Sequence, residues 1–418
     1  MHWVKKPSSN LKMIVFWFVV SLQQILLLVL LLSLVGCGST PSLFNPKIID
    51  SLSSQVIELL EGEDKIEIDA EELAILAAVP RISSFWQNSV KASKIAVFSP
   101  VFANGALYAA DEEGNLIRFD PVTGKQSWNI NTEHQLSGGV GAGDGMVLVG
   151  TFKGEVLAFD ESGNALWKAI VTSEVLSPPR VDSNIVVVRT GDGRIFGLDA
   201  IDGSRKWVYQ GATPSLTVRS SAGVLISRGA VFAGFAGGKL AAMSLFNGNI
   251  GWEIAVSLPR GVTELERMTD ITSLPVADEH LVCTVAYQGR VACFGMADGS
   301  QVWTREASSS IGLAMDDDYV YVSEDQGAVV AYDKRSGASI WKQGRLGSRK
   351  LSPPLVRGHN VIVGDDQGNI TLLRNYDGAI VARSATDKSA ILASPEALPD
   401  GFVVQTAKGG LYAFSHQF

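Results

Sequence analysis

From residue 83 onward the chain alternates short apolar stretches with polar punctuation. Stretches such as Val320-Tyr321-Val322-Ser323 and Val329-Val330-Ala331-Tyr332 are β-branched and aromatic with period-2 character, which predicts strands. Between such stretches stand Asp, Glu, Gln and Gly, residues that supply the positive φ of tight hairpins. The unit repeats. One copy runs from Gly114 to Trp128, and others from Gly154 to Trp167, Gly193 to Trp207, Gly238 to Trp252, Gly289 to Trp303 and Gly327 to Trp341. The Gly-to-Trp spacing is 14 residues in five copies and 13 in one. A seventh copy starts at Gly368 with Ala382 in place of Trp, and an eighth starts near Gly409-Gly410 and stops after Phe414, before a last strand. An orphan Phe85-Trp86 precedes the first copy.

Four antiparallel strands in each unit of roughly 40 residues, eight times over, predict an all-β fold, an eight-bladed β-propeller across 83–418. The last copy lacks its fourth strand and the strand at Phe85-Trp86 lacks a blade, so the N-terminal strand is expected to complete blade eight and remove the exposed sheet edges. The Asp after each third strand (Asp120, Asp160, Asp199, Asp333) is placed to cap the next turn, and the Trp to pack on the neighbouring copy.

The first residues follow another pattern. Lys5, Lys6 and Lys12 precede an apolar run of 19 residues from Ile14 to Leu32. Basic residues before an apolar run read as a secretory signal over 1–36; an uncleaved membrane anchor is the other reading. In the segment 37–82, Ile49, Leu52, Val56, Leu59 and Leu60 recur at helical spacing, and Asp69 with Glu72 is an N-cap signal for a helix over Glu71–Ala78. This acidic segment is one or two short helices or a spacer, and no chemistry is assigned to it.

Hydrophobic residues make up 46% and charged residues 19%, enough to build a large core. Without residues 1–36, 32 basic residues face 43 acidic ones, a net of −11. An acidic body argues against nucleic acid as a partner. Three cysteines and five scattered histidines leave little material for a metal centre, and neither metal nor cofactor is expected. Asp316-Asp317-Asp318 and Asp365-Asp366 read as turn residues, as does Gly141–Gly145. Cys283 and Cys293 flank a turn near Gln288-Gly289 with the same parity. They are either a cross-strand disulfide or two small buried thiols.

The repeat breaks its own length rule twice. From Trp, or its equivalent, to the next hairpin Gly the spacing is 24 to 28 residues, except for 31 and 37 in the fourth and fifth connections. The excess falls around Gly211–Gly223 and Leu258–Ser273. Both connect one blade's outer strand to the next blade's inner strand, which places them side by side on one face and marks a docking site. Pro214-Ser-Leu216-Thr-Val218-Arg219 sets an apolar pair beside an Arg. Thr263-Glu264-Leu-Glu266-Arg267-Met268-Thr-Asp270-Ile271-Thr272 mixes carboxylates, an Arg and apolar residues.

Three resemblances attach to these residues. Leu34-Val35-Gly36-Cys37 resembles a bacterial lipobox, which implies acylation at Cys37; Gly38 after it resembles the pattern sent to the outer membrane. The repeats resemble quinoprotein (PQQ-like) repeats. That family includes quinone-dependent dehydrogenases, but no Cys-Cys pair is present and the recurrent aspartates sit at turn positions. Together with the two long loops, these features resemble the BamB family, lipoprotein subunits of the outer-membrane β-barrel assembly machinery, over roughly 85–418. The resemblance implies a non-catalytic scaffold, anchored by lipid at the periplasmic face of the outer membrane. It would dock on the POTRA domains of BamA beside other Bam subunits and assist folding of unfolded outer-membrane proteins. Carried over by position, Leu216, Val218, Arg219 and Asp270 are contact residues, with Glu266 and Arg267 placed alongside. Thr272 stands where the family has a second acid. The alternatives are a chaperone that binds extended substrate at strand edges, or a quinoprotein enzyme.

Overall fold

The structure, a computed structural model, describes Leu76 and residues 78–415, except 212, 213, 215 and 348. The signal segment, Cys37 and most of the segment up to residue 82 lie outside the described residues.

Eight four-stranded antiparallel sheets follow one another along the chain. Blade one is Val101–Ala103, Ala106–Ala110, Asn115–Phe119 and Gln126–Asn131, and six further blades repeat this order. Blade eight takes three strands from the C-terminus (Glu396–Leu398, Gly401–Gln405, Gly410–Ser415) and its outer strand, Ser84–Ser89, from the N-terminal side. Trp86 stands opposite Ala413 and Asn88 opposite Leu411. The missing strand and the orphan Phe85-Trp86 are therefore the same element, as the repeat arithmetic requires. Closure also has a polar seam: Glu396 Oε1 accepts from the Phe102 N–H at 2.9 Å, and Gln405 Nε2 donates to the Ala110 carbonyl at 3.1 Å.

The core lies between blades. In the third blade's second strand, Ile185–Arg189, the residues Val186 and Val188 pack with Leu148 and Val156 of blade two. Ile185 and Val187 pack with Val231 and Ala241 of blade four. Successive side chains point to opposite faces of a strand, so a strand with a blade on each side must be apolar throughout. That is why these strands read as unbroken apolar runs.

The tryptophans join each outer strand to the next blade. Trp207 Nε1 donates to the Leu245 carbonyl at 2.9 Å, and its ring lies over Gly248, where a Cβ would come within 2.6 Å of it. Gly248 also has φ +70°, a conformation that favours glycine. Trp86, Trp128, Trp167, Trp252, Trp303 and Trp341 repeat the bond to Pro121, Glu161, Ala200, Met296, Lys334 and Asn375. The capping aspartates act as the spacing predicts. Asp120 Oδ1 accepts from the N–H groups of Val122 and Thr123, and Asp333 Oδ1 from those of Arg335 and Ser336. Hydrogen bonds from Thr123 to Asp120, and from Ser336 to Asp333, hold both carboxyls below the usual range.

Candidate partner-docking site

Alternating strand direction puts every outer-to-inner connection on one face of the ring. The long ones there are residues 211–224, between blades three and four, and 256–275, between blades four and five. They are tied together. Asp270 is buried, with Oδ2 accepting from the Val218 N–H at 2.7 Å and Oδ1 from the Gly237 N–H at 2.9 Å. Ser220 Oγ donates to the Thr272 carbonyl at 2.9 Å. Below them Ile271 is buried against Gly234, which leaves no room for a Cβ there. The second loop is thus anchored at its C-terminal end.

The same loop carries a single helical turn. Thr263 and Glu266 form a reciprocal cap: the Glu266 N–H donates to Thr263 Oγ1 at 3.2 Å, and the Thr263 N–H donates to Glu266 Oε2 at 3.1 Å. The Val262 N–H donates to the same oxygen at 2.8 Å. These bonds, the one from Thr263 foremost, hold the Glu266 carboxyl below the usual range. Thr272 is buried and donates from Oγ1 to the Ser310 carbonyl at 3.1 Å.

The residues named from sequence therefore divide into two kinds. Leu216 is 40% exposed, Val218 is half-buried, and Arg219, Glu266 and Arg267 are exposed. Asp270 is only 3% exposed; its carboxylate fixes the backbone on which Val218 sits. Leu258, Val262 and Leu265 add exposed apolar side chains on the second loop.

Arg219 is not free either. It meets Glu174, from the connection between blades two and three, through Nε to Oε1 at 3.2 Å and Nη2 to Oε2 at 2.8 Å, a two-pronged ion pair. Between the loops and blade three a cavity of about 190 Å³ opens, lined among others by Leu176, Arg189, Val218, Arg219, Phe235 and Asp270. Arg189 lies with its guanidinium carbon 5.7 Å from the Phe235 ring centroid. Burial pushes the guanidinium down to about 10, with the Asp270 carboxylate pulling the other way. Glu174 and Arg189 were missed by sequence reasoning. The available signal was positional: Arg189 ends a buried strand four residues before the hairpin Gly, where the other copies have uncharged residues such as Ala110, Gly150 and Gly234.

The remaining chemical candidates are structural in their contacts. Asp316 Oδ1 accepts from the N–H groups of Asp318 and Tyr319, and its Oδ2 from the Tyr321 hydroxyl. Asp365 Oδ1 caps its turn through the Gln367 and Asn369 N–H groups. Among the described residues, no three His, Cys, Asp or Glu side chains gather in a metal-binding arrangement. Cys283 and Cys293 stand directly opposite on paired strands, with Cα atoms 4.1 Å apart, and their sulfurs form a disulfide in the structure.

Ring, repeat and tryptophan docking define a PQQ-like β-propeller. A family model described as outer membrane protein assembly factor BamB matches residues 112–343. The outer membrane protein assembly factor BamB of Nitrosomonas eutropha is 57% identical over 94% of this chain and 95% of its own. The crystal structure of BamB from Moraxella catarrhalis superposes with a TM-score of 0.73 at 28% identity, covering 80% of this chain and 99% of that one. A quinohemoprotein alcohol dehydrogenase from Pseudomonas putida has a TM-score of 0.65 at 10% identity, over 80% of this chain and 76% of its own, a likeness of fold alone. The chain belongs to the BamB family of outer membrane protein assembly factors.

Proposed function

We propose that this chain is a non-catalytic scaffold of the outer-membrane protein assembly machinery. It is held by acyl chains on Cys37 at the periplasmic face of the outer membrane, and it docks through the 211–224 and 256–275 connections on the POTRA domains of BamA. Membership of the family supports the assembly role. The observation that carries the docking face is the lock between the two loops at Asp270, with Leu216, Leu258, Val262 and Leu265 left exposed beside it. A rigid backbone that holds apolar side chains out of the core is suited to binding, because little order remains to be imposed on association. Apolar anchors supply most of the affinity, and the surrounding charges supply orientation and specificity.

The test is affinity purification of BamA from membranes with Leu216→Asp and Arg219→Glu variants. Both variants should fold, because both side chains are exposed, and both should lose BamA. Arg219→Glu also sets a second carboxylate against Glu174. Recovery of BamA at the wild-type level with both variants removes these loops from the docking role.

A further inference from the structure

The cavity between the two loops has a feature that apolar docking does not use. Arg189 lines it, and its Nη1 is buried without a hydrogen-bond partner. The nearest carboxylate, Asp270, has both oxygens engaged by the backbone N–H groups of Val218 and Gly237. It balances the Arg189 charge through space but forms no ion pair with it. The other cation at the rim, Arg219, is already bonded at two points to Glu174. Asp192, which also lines the cavity, accepts from Arg194 Nη1 at 2.6 Å. Of the two arginines that line this cavity, Arg189 is therefore the one with a donor that lacks an acceptor.

A buried guanidinium N–H without an acceptor is costly, and a charged acceptor offsets more of that cost than a neutral one. We propose that Arg189 is the floor of a receptor pocket for a carboxylate: an acidic side chain of the docking partner enters between the two long connections and is bound by Arg189. This rests on the docking role proposed above. It assigns the recognition of charge to a residue that reaches the site from blade three rather than to the exposed Arg219. A carboxylate brought against Arg189 would also restore the guanidinium towards its ordinary basicity, which burial has lowered.

Two measurements on the full-length mature protein in detergent test it. In the first, isothermal titration with the POTRA-domain portion of its BamA compares wild type, Arg189→Gln, Arg189→Lys and Leu216→Asp. Arg189→Gln should weaken binding by about tenfold or more, as for the loss of one partner from a buried charge pair, with Arg189→Lys in between. In the second, N-acetyl-aspartate amide is titrated into protein labelled with ¹⁵N at arginine. The Arg189 Nε–Hε resonance, identified by its loss in Arg189→Lys, should shift and saturate, and the neutral asparagine analogue should leave it in place.

If Arg189→Gln binds as wild type while Leu216→Asp does not bind, the docking face stands and the carboxylate pocket is overturned. If wild type does not bind the POTRA portion but the aspartate probe still saturates the Arg189 resonance, the pocket stands and the docking role falls. An unmoved resonance overturns the pocket whatever the partner does. Thermal unfolding of each variant separates lost binding from lost folding. If Arg189→Gln does not fold, Arg189→Lys and the resonance titration decide.

Discussion

The carboxylate of Asp270 accepts the Val218 N–H at 2.7 Å across 52 residues of sequence, so the conformation of one long connection is set by a side chain of the other. Asp270 is buried, and its contribution to binding is therefore expected to be indirect. Asp270→Ala leaves the N–H groups of Val218 and Gly237 without their acceptor, a local cost of about 1–3 kcal/mol. Hydrogen exchange at Val218 and Gly237 should accelerate and partner affinity should fall, although no surface group is removed. Exchange unchanged at both amides would dismiss the lock.

Blade-to-blade docking predicts a matched pair of effects. Trp207→Ala removes a ring buried against blade four and should cost about 3–5 kcal/mol in equilibrium denaturation. Gly248→Ala places a methyl within contact of the same ring at a positive φ, and should cost about 1–3 kcal/mol. The double variant should cost less than the two single costs together, because alanine at 207 removes the clash.

Ring closure gives a sharp truncation boundary. The Ile82 N–H donates to the Arg383 carbonyl at 3.2 Å and the Arg383 N–H to the Pro80 carbonyl at 2.9 Å, and Ile82 is buried with Ala382 and Phe414. Blade seven carries Ala382 where the other outer strands carry a tryptophan, and blade eight, whose third and fourth strands come from opposite ends of the described residues, has no turn between them. A chain begun at residue 80 should remain a folded monomer by light scattering. A chain begun at residue 91 loses Trp86 and its strand, exposes the edge of Gly410–Ser415, and should aggregate. Equal behaviour of the two chains would contradict closure by the N-terminal strand.

The seam at Glu396 predicts a pH dependence. Burial raises the Glu396 carboxyl, with the Phe102 N–H and Arg180 opposing it. A raised acid pKa means that the folded state holds the proton more tightly than the unfolded state. Stability from this group is therefore lost as pH rises from the ordinary carboxylate range through the raised value, and the loss persists at neutral pH. Glu396→Gln keeps an oxygen acceptor for Phe102 without the charge. It should be the more stable protein near neutrality, with the advantage vanishing in acid, as denaturation midpoints across pH will show.

The Cys283–Cys293 pair closes a short loop and should contribute about 2–3 kcal/mol. Intact mass without reductant should match the oxidised pair, and the double serine variant should unfold at lower denaturant. Recovery of two alkylated thiols from unreduced, unfolded protein would exclude the bond.

The amino-acid order alone determined the eight units, the all-β class and the strand that completes the ring. Those features follow from spacing along one chain: Gly at the hairpin, Asp at the cap, Trp on the outer strand, and a strand missing at one end that reappears at the other. It also located the two long connections, because their lengths depart from the period. Only the tertiary structure decided which of their residues face outward. Asp270 and Arg219 look alike as charged loop residues, yet one is buried under backbone N–H groups and the other is paired at the rim with Glu174. Glu174 and Arg189 belong to stretches of ordinary length and join the site only because neighbouring blades turn the ends of their strands to a common face. Burial and pairing depend on contacts between distant segments, and a local pattern of residue types carries no information about them until the ring has closed.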